Sequence, residues 1–338
     1  MTIPEAIARV VARRDLSEDA AFALMGRLMD GEGTPAQIGS LLTALRMKGE
    51  TVDELVGAAR AMRARMLTVR VECPIVDTCG TGGAGRATFN VSTAAALIAA
   101  GAGVVVAKHG NRAMSGRVGG ADVLEALGVV VDLPAEDVGR CIAAAGIGFC
   151  YAPRFHAAMR SLAAPRREIG VRTILNLLGP LANPAAASAQ LVGVFAPEWT
   201  AVVAEALRRL GTHRALVVHG DDGLDEISAS GSTLVSEVAA GTVRTYHLHP
   251  RDFGVEPSGP APAAADAAAS AAIVRGVLAG ETGPARELAL MNAAAVLVVA
   301  ERTGSMREGY VRAAEAVASG AAAEVLARLV SASRAGAV

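Results

Sequence analysis

Two short, mainly apolar runs, 74–78 and 103–107, bracket a glycine-rich turn and an alanine-rich segment in this chain. The turn reads Gly80-Thr81-Gly82-Gly83, and the alanine-rich segment opens at Ser92-Thr93. We interpret the pattern as strand, turn, helix and strand, because short apolar runs bounded by glycine are typical of buried strands. A strand-helix-strand unit requires parallel strands, so the window favours the α/β class.

The same window predicts a phosphate site. Glycines in the turn expose backbone N–H groups, and the helix that follows points its positive end at the same place. The second run leads into Lys108-His109-Gly110-Asn111-Arg112, at a strand end where open α/β sheets bind ligands. A glycine-rich turn alone is as often a plain tight turn, and the sequence contains no GxxxxGK[ST] motif. We therefore predict an anion site of another kind.

The chain before residue 71 is predicted to be helical. Thr34-Pro35-Ala36-Gln37 combines a helix cap, a first-turn proline and a capping-box glutamine, and Thr51-Val52-Asp53-Glu54 repeats the capping box. Beyond it, strand and helix patterns alternate. We predict a small N-terminal helical domain over 1–70, joined by part of 160–185. The remainder, 71–338, is predicted to be a larger α/β domain with a mostly parallel central sheet flanked by helices.

Further segments follow from the same patterns. Strands are also predicted at 129–132, 189–195 and 214–218. Helices are predicted at 92–101, 120–127, 198–210, 265–279, 284–300 and 305–330, and a loop at 257–264.

Composition limits the function classes. The 338 residues are 52% hydrophobic but only 3% aromatic, which predicts a core of Ala, Val and Leu. A formal net charge of −1 gives no overall attraction to nucleic acid or to an anionic membrane. The four cysteines lack CxxC spacing and predict reduced thiols. Without a signal-peptide core or an uninterrupted apolar span, the sequence predicts a cytoplasmic enzyme.

An acidic segment, His219-Gly220-Asp221-Asp222-Gly223-Leu224-Asp225-Glu226, follows the strand predicted at 214–218. Adjacent carboxylates at Asp225 and Glu226 are hard oxygen ligands of the kind that magnesium prefers. Acidic runs are usually solvated turns. Beside a phosphate site, however, the pair is the second half of a phosphate, magnesium and carboxylate arrangement.

Arginines are frequent between 154 and 167, and Asn176-Leu177-Leu178-Gly179-Pro180-Leu181-Ala182-Asn183-Pro184 follows them. Guanidinium groups here are suited to holding a carboxylate with two hydrogen bonds, and Gly179-Pro180 predicts a stiff turn. The alternative is a basic helix exposed to water. His156 by itself favours a hydrogen-bonded structural role over that of a base.

Seven motifs in order resemble the anthranilate phosphoribosyltransferase family over nearly the whole chain: GTGG at 80–83, NVST at 90–93, KHGNR at 108–112, ADVLEALG at 121–128, FHAAMR at 155–160, NLLGPLANP at 176–184 and DGLDEIS at 222–228. The resemblance implies a helical domain joined to an α/β domain, usually as a homodimer. It also implies transfer of phosphoribose from phosphoribosyl pyrophosphate to the amine of anthranilate, with Mg2+ as cofactor.

The resemblance assigns residues to three groups, with Lys108 and Arg166 as the catalytic pair. The donor, phosphoribosyl pyrophosphate, would be bound by Gly80, Gly83, Ala84, Thr88, Asn90, Val91, Ser92, Thr93, Lys108, His109, Gly110, Asn111, Arg112, Ala113, Met114, Ser115, Gly116 and Gly120. Anthranilate would be bound by Gly80, Asn111 and Arg166 and flanked by His109, His156 and Pro180. Ser92 would ligate one magnesium ion, and Asp225 with Glu226 the other.

The chain departs from the family pattern near the donor site. The family has Asp where this chain has Ala84, two serines where it has Ser115-Gly116, and Ser-Gly-Ser where it has Val118-Gly119-Gly120. Two alternatives therefore stay open. One is a related glycosyl transfer enzyme such as a pyrimidine nucleoside phosphorylase-like protein, and the other is a non-catalytic paralogue that binds a nucleotide.

Overall fold

The computed structural model describes residues 1–83, 85–113 and 118–335. The chain begins with four helices, α1 (Ile3–Val11), α2 (Glu18–Met29), α3 (Pro35–Lys48) and α4 (Val52–Arg63). Both predicted capping boxes are present, since the Thr34 and Thr51 side chains accept from the backbone N–H groups of Gln37 and Glu54. The predicted helical N-terminal domain is confirmed, while its exact boundaries stay a prediction.

The larger part of the chain is an α/β domain. Its strands are β1 (Val76–Gly80), β2 (Val106–Gly110), β3 (Ile147–Tyr151), β4 (Ala189–Gly193), β5 (Arg214–Gly220), β6 (Thr233–Ala239) and β7 (Thr242–Leu248). Its helices are α5 (Val91–Gly101), α6 (Gly120–Ala126), α7 (Ala135–Ala145), α8 (Ala152–Phe155), α9 (Arg160–Ile169), α10 (Trp199–Arg209), α11 (Ala267–Leu278), α12 (Pro284–Val299), α13 (Met306–Ala318) and α14 (Ala321–Ala335). Short 3-10 turns lie at Ile174–Asn176 and Gly179–Leu181.

The sheet has the order β3-β2-β1-β4-β5-β6-β7. The first five strands are parallel, and β6 and β7 add an antiparallel hairpin. The predicted mostly parallel sheet is thus confirmed. Chain order runs one way from β1 to β3 and the other way from β4 to β5, so a topological switch point lies between β1 and β4. Open sheets bind ligands outside the carboxyl ends of the strands at such a point.

Two apolar cores lie on opposite faces of the sheet. On one face, Leu216 and Val218 of β5 join a core with α5 and α11 to α14. On the other face, Ala215 and Val217 join a core that includes α10 and the N-terminal helices. Alternate residues of β5 therefore pack into different cores, because successive side chains of a strand point to opposite faces of the sheet.

Several predicted segments differ from the structure. The predicted strand 129–132 does not form, because its backbone is used elsewhere: Val129 donates to Leu124 O, and Val130 donates to Ser333 Oγ at 3.0 Å. The predicted helix 305–330 is two helices, α13 and α14, with a break at Ser319-Gly320. Strands β3, β6 and β7 and helix α7 were not predicted.

Within the described residues, no single helix has both the length and the apolar character of a membrane span. Only α13 and α14 taken together pass that test, and they are bent by 65° relative to each other.

Candidate active site

Lys108 lies in the middle of β2, and its side chain contacts β1 and the start of α5. Its Nζ donates to the Thr78 carbonyl and, at 3.0 Å, to Ser92 Oγ. The side chain is almost fully buried, with 3% exposure. Loss of solvation lowers the pKa of Lys108, and nearby Asp77 counteracts this shift. A buried ammonium group thus points at the positive end of a helix, where both the ammonium charge and the helix N-terminus would stabilise an anion.

Asn90 caps α5, the helix whose first turn forms part of this candidate anion site. Its Oδ1 accepts from the backbone N–H of Thr93 at 3.0 Å, and its own N–H donates to Ser270 Oγ at 3.0 Å. Such a cap fixes the first turn of α5 with its free N–H groups directed outward. The predicted donor residues Asn90, Ser92 and Thr93 therefore lie together with Lys108 at one end of α5.

The loop between β5 and β6 brings the two predicted carboxylates to the same place. The backbone N–H of Ser92 is close enough to Glu226 to lower the pKa of that carboxyl, and Asp225 Oδ2 lies 3.4 Å from the position that a Cβ on Gly80 would occupy. Loss of solvation, and then the charge of Asp225, raises the pKa of Glu226 to about 8. The predicted ligands Ser92, Asp225 and Glu226 are thus neighbours, although they lie more than 130 residues apart in the sequence.

This donor set fits a magnesium ion. Two adjacent carboxylates, one of them poorly solvated, repel each other unless a cation lies with them. No group of three His, Cys, Asp or Glu side chains suited to a metal stands together in the described part of the chain. Magnesium is ordinarily held by one or two carboxylates together with substrate phosphates, so Asp225 and Glu226 are sufficient.

Gly193 allows the carboxylate loop to reach the site, and sequence analysis missed it. A Cβ on Gly193 would lie 1.7 Å from the backbone oxygen of Asp225, which no real side chain permits. Gly193 is the last residue of β4, beside Gly80 at the end of β1. A glycine at a strand end is the signal that could have identified this close approach.

The glycine-rich turn is tied to the rest of the site by its backbone. Gly82 and Gly83 have φ angles of 67° and 79°, a region that glycine adopts without strain. The Gly85 N–H donates to Gly223 O at 3.1 Å, which joins the turn to the carboxylate loop. Arg172, also missed from sequence, donates to Gly83 O and lies 4.3 Å from the Phe195 ring.

His109 and His156 form a buried pair, with 3.1 Å between their Nε2 atoms. His109 Nδ1 lies 2.9 Å from Gly179 O. Because a carbonyl oxygen only accepts, Nδ1 carries the proton of the neutral His109 ring, and His109 Nε2 therefore accepts a hydrogen bond from His156. Loss of solvation lowers the pKa of both rings, that of His156 to about 3. Both rings are therefore neutral at pH 7, and the pair joins β2 to the turn that carries Pro180.

Arg166 lies on α9, and burial lowers the pKa of its guanidinium. No hydrogen bond or ion pair from Arg166 to any described residue is present. Arg112 differs, because Glu125 holds its guanidinium with two hydrogen bonds of 2.5 and 2.6 Å. Asn111 Oδ1 accepts the Arg112 N–H at 2.7 Å. Arg166 is thus a poorly solvated cation with no anionic partner among the described residues.

Other residues predicted to bind phosphoribosyl pyrophosphate have hydroxyl groups without a hydrogen-bond partner among the described residues, or free space beside them. Thr88 Oγ1 and Thr93 Oγ1 are buried without a partner in the described residues. A Cβ on Gly120 would make only ordinary contacts, 3.7 Å from Lys108 Cε and 3.9 Å from Thr93 Oγ1. The predicted residues Ala84, Met114, Ser115 and Gly116 lie outside the described residues.

Family models match both parts of the chain. A glycosyl transferase family model for a helical bundle domain matches residues 4–66, and one for an a/b domain matches residues 72–323. Together with the anion site at the switch point, these matches define a glycosyl transferase built from a helical bundle and an α/β domain.

Comparison with curated relatives shows which family within this class the chain resembles. The anthranilate phosphoribosyltransferases of Thioalkalivibrio sulfidiphilus and Anaeromyxobacter sp. strain K are 52% and 53% identical, over 98% of this chain and 98% of each relative. The crystal structure of the Thermus thermophilus enzyme superimposes with a TM-score of 0.90 at 45% identity, covering 97% of this chain and 99% of that one. A Saccharomyces cerevisiae enzyme in complex with PRPP and Mg gives 0.88 at 26% identity, covering 98% of both chains. The chain belongs to the anthranilate phosphoribosyltransferase family.

Proposed function

We propose that this protein transfers the phosphoribosyl group of phosphoribosyl pyrophosphate to the amine of anthranilate and releases pyrophosphate. The observation that carries the proposal is the meeting of Lys108, Ser92 and Glu226 at the carboxyl ends of the central strands. A buried ammonium group, a helix N-terminus and a carboxylate in one place suit a polyphosphate that arrives with a divalent cation.

The reaction forms a bond from the amine nitrogen to the anomeric carbon and breaks the bond from that carbon to the pyrophosphate oxygen. Negative charge grows on pyrophosphate as it leaves, and Lys108 with the α5 N-terminus would stabilise that charge. Ser92 would hold one magnesium ion and Asp225 with Glu226 the other, and the bound ions would neutralise further charge on the leaving group. The amine has a free lone pair at pH 7, so its proton can leave to water without a strong base.

Arg166 would hold the carboxylate of anthranilate. A guanidinium in a poorly solvated place gains most from a charged partner that makes two hydrogen bonds. Asn111, with the neighbouring His109, His156 and Pro180, would line the same subsite, since His109 already contacts both His156 and the turn at Gly179. The remaining donor residues stay predictions from the family resemblance.

We further propose Mg2+ as the cofactor, a homodimer as the functional assembly and the cytoplasm as the location. Magnesium is named in a solved complex of the yeast relative, and the carboxylate pair of this chain fits it. The homodimer rests on the family resemblance, and light scattering on the purified protein tests it.

The decisive experiment follows anthranilate fluorescence in the presence of phosphoribosyl pyrophosphate and magnesium. Fluorescence should fall only when all components are present, and EDTA should stop the loss. The double variant Asp225→Asn, Glu226→Gln should lose magnesium-dependent turnover, whereas Asp221→Asn, an exposed residue of the same loop, should keep it. No loss of fluorescence at saturating donor would contradict the proposal and direct attention to other amines and to nucleosides.

A further inference from the structure

Asn292 is a fully buried amide in an otherwise apolar stretch of α12. It has 0% exposure, and the residues around it in the helix, from Leu288 to Val299, are Ala, Leu, Met and Val. Burying an amide in such surroundings is unfavourable unless its groups are hydrogen-bonded. The partners of Asn292 therefore indicate why a polar residue occupies this position.

All the donors of the Asn292 side chain are used. Oδ1 accepts the Ile227 N–H at 3.0 Å, while Nδ2 donates to Ile227 O at 3.0 Å and to Leu288 O at 2.8 Å. The two bonds with Ile227 repeat the exchange that a residue of a neighbouring antiparallel strand would make. The third bond, to the carbonyl one turn earlier in α12, holds the amide in this orientation.

Ile227 depends on this side chain. It is 1% exposed, lies between β5 and β6, and its N–H and C=O have no other hydrogen-bond partner in the described residues. A buried peptide group left without hydrogen-bond partners is strongly unfavourable. Removal of the Asn292 amide would therefore displace the backbone at Ile227, immediately after Glu226.

Helix α12 also contacts the other half of the site. It packs against α5, the helix whose first turn contains Ser92. The Ser92 N–H acts on the nearby Glu226 carboxyl, so the spacing between these two residues depends on where α12 holds the loop. One helix thus contacts both segments that carry the proposed metal ligands.

We infer that Asn292 is a positioning residue for the Asp225 and Glu226 carboxylates and that its two hydrogen bonds to Ile227 set the affinity of the site for a divalent cation. The inference rests on the proposed function for the identity of the metal site. Partners that orient metal ligands typically change metal affinity about 10- to 100-fold when removed.

The test uses Mn2+ as the probe, titrated in the presence of pyrophosphate and followed by electron paramagnetic resonance. Asn292→Leu fills the volume without an amide, and Asn292→Ala leaves a cavity. Both should weaken Mn2+ binding at least about tenfold. Ser333→Ala is the control, because Ser333 is equally buried and bonds a backbone N–H far from the site, that of Val130. This variant should bind Mn2+ like the wild type.

A second measurement follows hydrogen exchange at the Ile227 amide. In hydrogen exchange on the wild type, the Ile227 amide should exchange more slowly than that of Glu256, an exposed loop residue whose N–H has no partner among the described residues. Asn292→Leu should accelerate exchange at Ile227. Rapid exchange in the wild type, or normal Mn2+ binding in both variants, would overturn the inference. Weakening in Asn292→Ala alone would also overturn it, since the cavity and not the amide would be responsible. A wild type that fails to consume anthranilate but shows these shifts would overturn only the proposed function.

Discussion

At the scale of single residues, the chemistry of the site depends on groups that are buried without complete partners. Arg166, Thr88 and Thr93 keep unused hydrogen-bonding capacity in the described structure. Arg112, which sequence analysis grouped with them, is instead paired with Glu125. Partly satisfied polar groups are costly in a folded protein, and Arg166, Thr88 and Thr93 are among the residues that the family resemblance assigns to substrate binding.

Arg166→Ala should raise the KM for anthranilate about 10- to 100-fold with a much smaller effect on the KM for the donor. The variant removes a charged hydrogen-bond pair worth about 1.5–3 kcal/mol. Steady-state kinetics with each substrate varied in turn measures the split. The neighbouring Arg167 is exposed, and Arg167→Ala should change neither constant. Equal effects of Arg166→Ala on both substrates would reject the assignment to the carboxylate.

The buried histidine pair should make the folded state sensitive to acid. Both folded-state pKa values lie below that of a free histidine, so the unfolded chain binds more protons below about pH 6.5 and stability falls as the pH drops. His156, with a folded-state pKa of about 3, contributes up to about 1.4 kcal/mol of loss per pH unit in that range.

His156→Gln retains an N–H for His109 but does not titrate. Between pH 7.5 and 5.5 it should lose about 1.4 kcal/mol less unfolding free energy than the wild type, as measured by urea denaturation. His213→Gln, at an exposed position, should behave like the wild type. The same acid loss in His156→Gln as in the wild type would show that His156 is not buried in its neutral form.

At the scale of elements, helix packing is decided by positions where no side chain fits. Gly57 of α4 faces α2, and a Cβ there would lie 2.2 Å from Glu18 O. Gly39 of α3 is also in a helix interior, but its nearest neighbour would be 4.0 Å away. The two glycines look alike in the sequence and differ only in what lies opposite.

Gly57→Ala should therefore destabilise the protein by about 1–3 kcal/mol, because the two helices must move apart. Gly39→Ala should be neutral or stabilise it by up to about 1 kcal/mol, since alanine favours the helix. Chemical denaturation of the two variants provides the comparison. Destabilisation of similar size in both would show that helix propensity and not the α2 contact controls the effect.

Helices and strands with a clear local sequence pattern were predicted. Those that form through hydrogen bonds to other segments, without a clear local pattern, were not. Helices α3 and α4 were predictable because their caps are encoded within four residues. The run 129–132 has the composition of a strand, but its backbone bonds go to Leu124 and Ser333. The hairpin of β6 and β7 was missed because β7 is largely exposed and its pattern carries little hydrophobic signal.

At the scale of the whole molecule, the helical domain does not have a core of its own. Leu28 and Leu42 of the helical domain belong to the same core as Val203 of α10 and Val217 of β5. Arg63 at the end of α4 also donates to the carbonyls of Leu181 and Leu210, at 2.6 and 3.1 Å. The two domains are therefore joined through continuous packing.

Thermal unfolding should accordingly occur in one cooperative transition, although multidomain chains often unfold in steps. Scanning calorimetry measures this, and Gly57→Ala should move the entire transition to a lower temperature. An early, separate transition that only Gly57→Ala shifts would contradict the shared core.

The sequence by itself determined the helical start, the α/β class, the glycine turn, the lysine at a predicted strand end and the carboxylate pair. Each of these depends on local conformation or on the chemistry of a few adjacent residues. Only the tertiary structure decided that Ser92, Lys108 and Glu226 meet, that Gly193 makes room for Asp225, and that Asn292 supports the carboxylate loop. Those contacts join segments far apart in the chain, and strand order, which local patterns do not encode, brings them together.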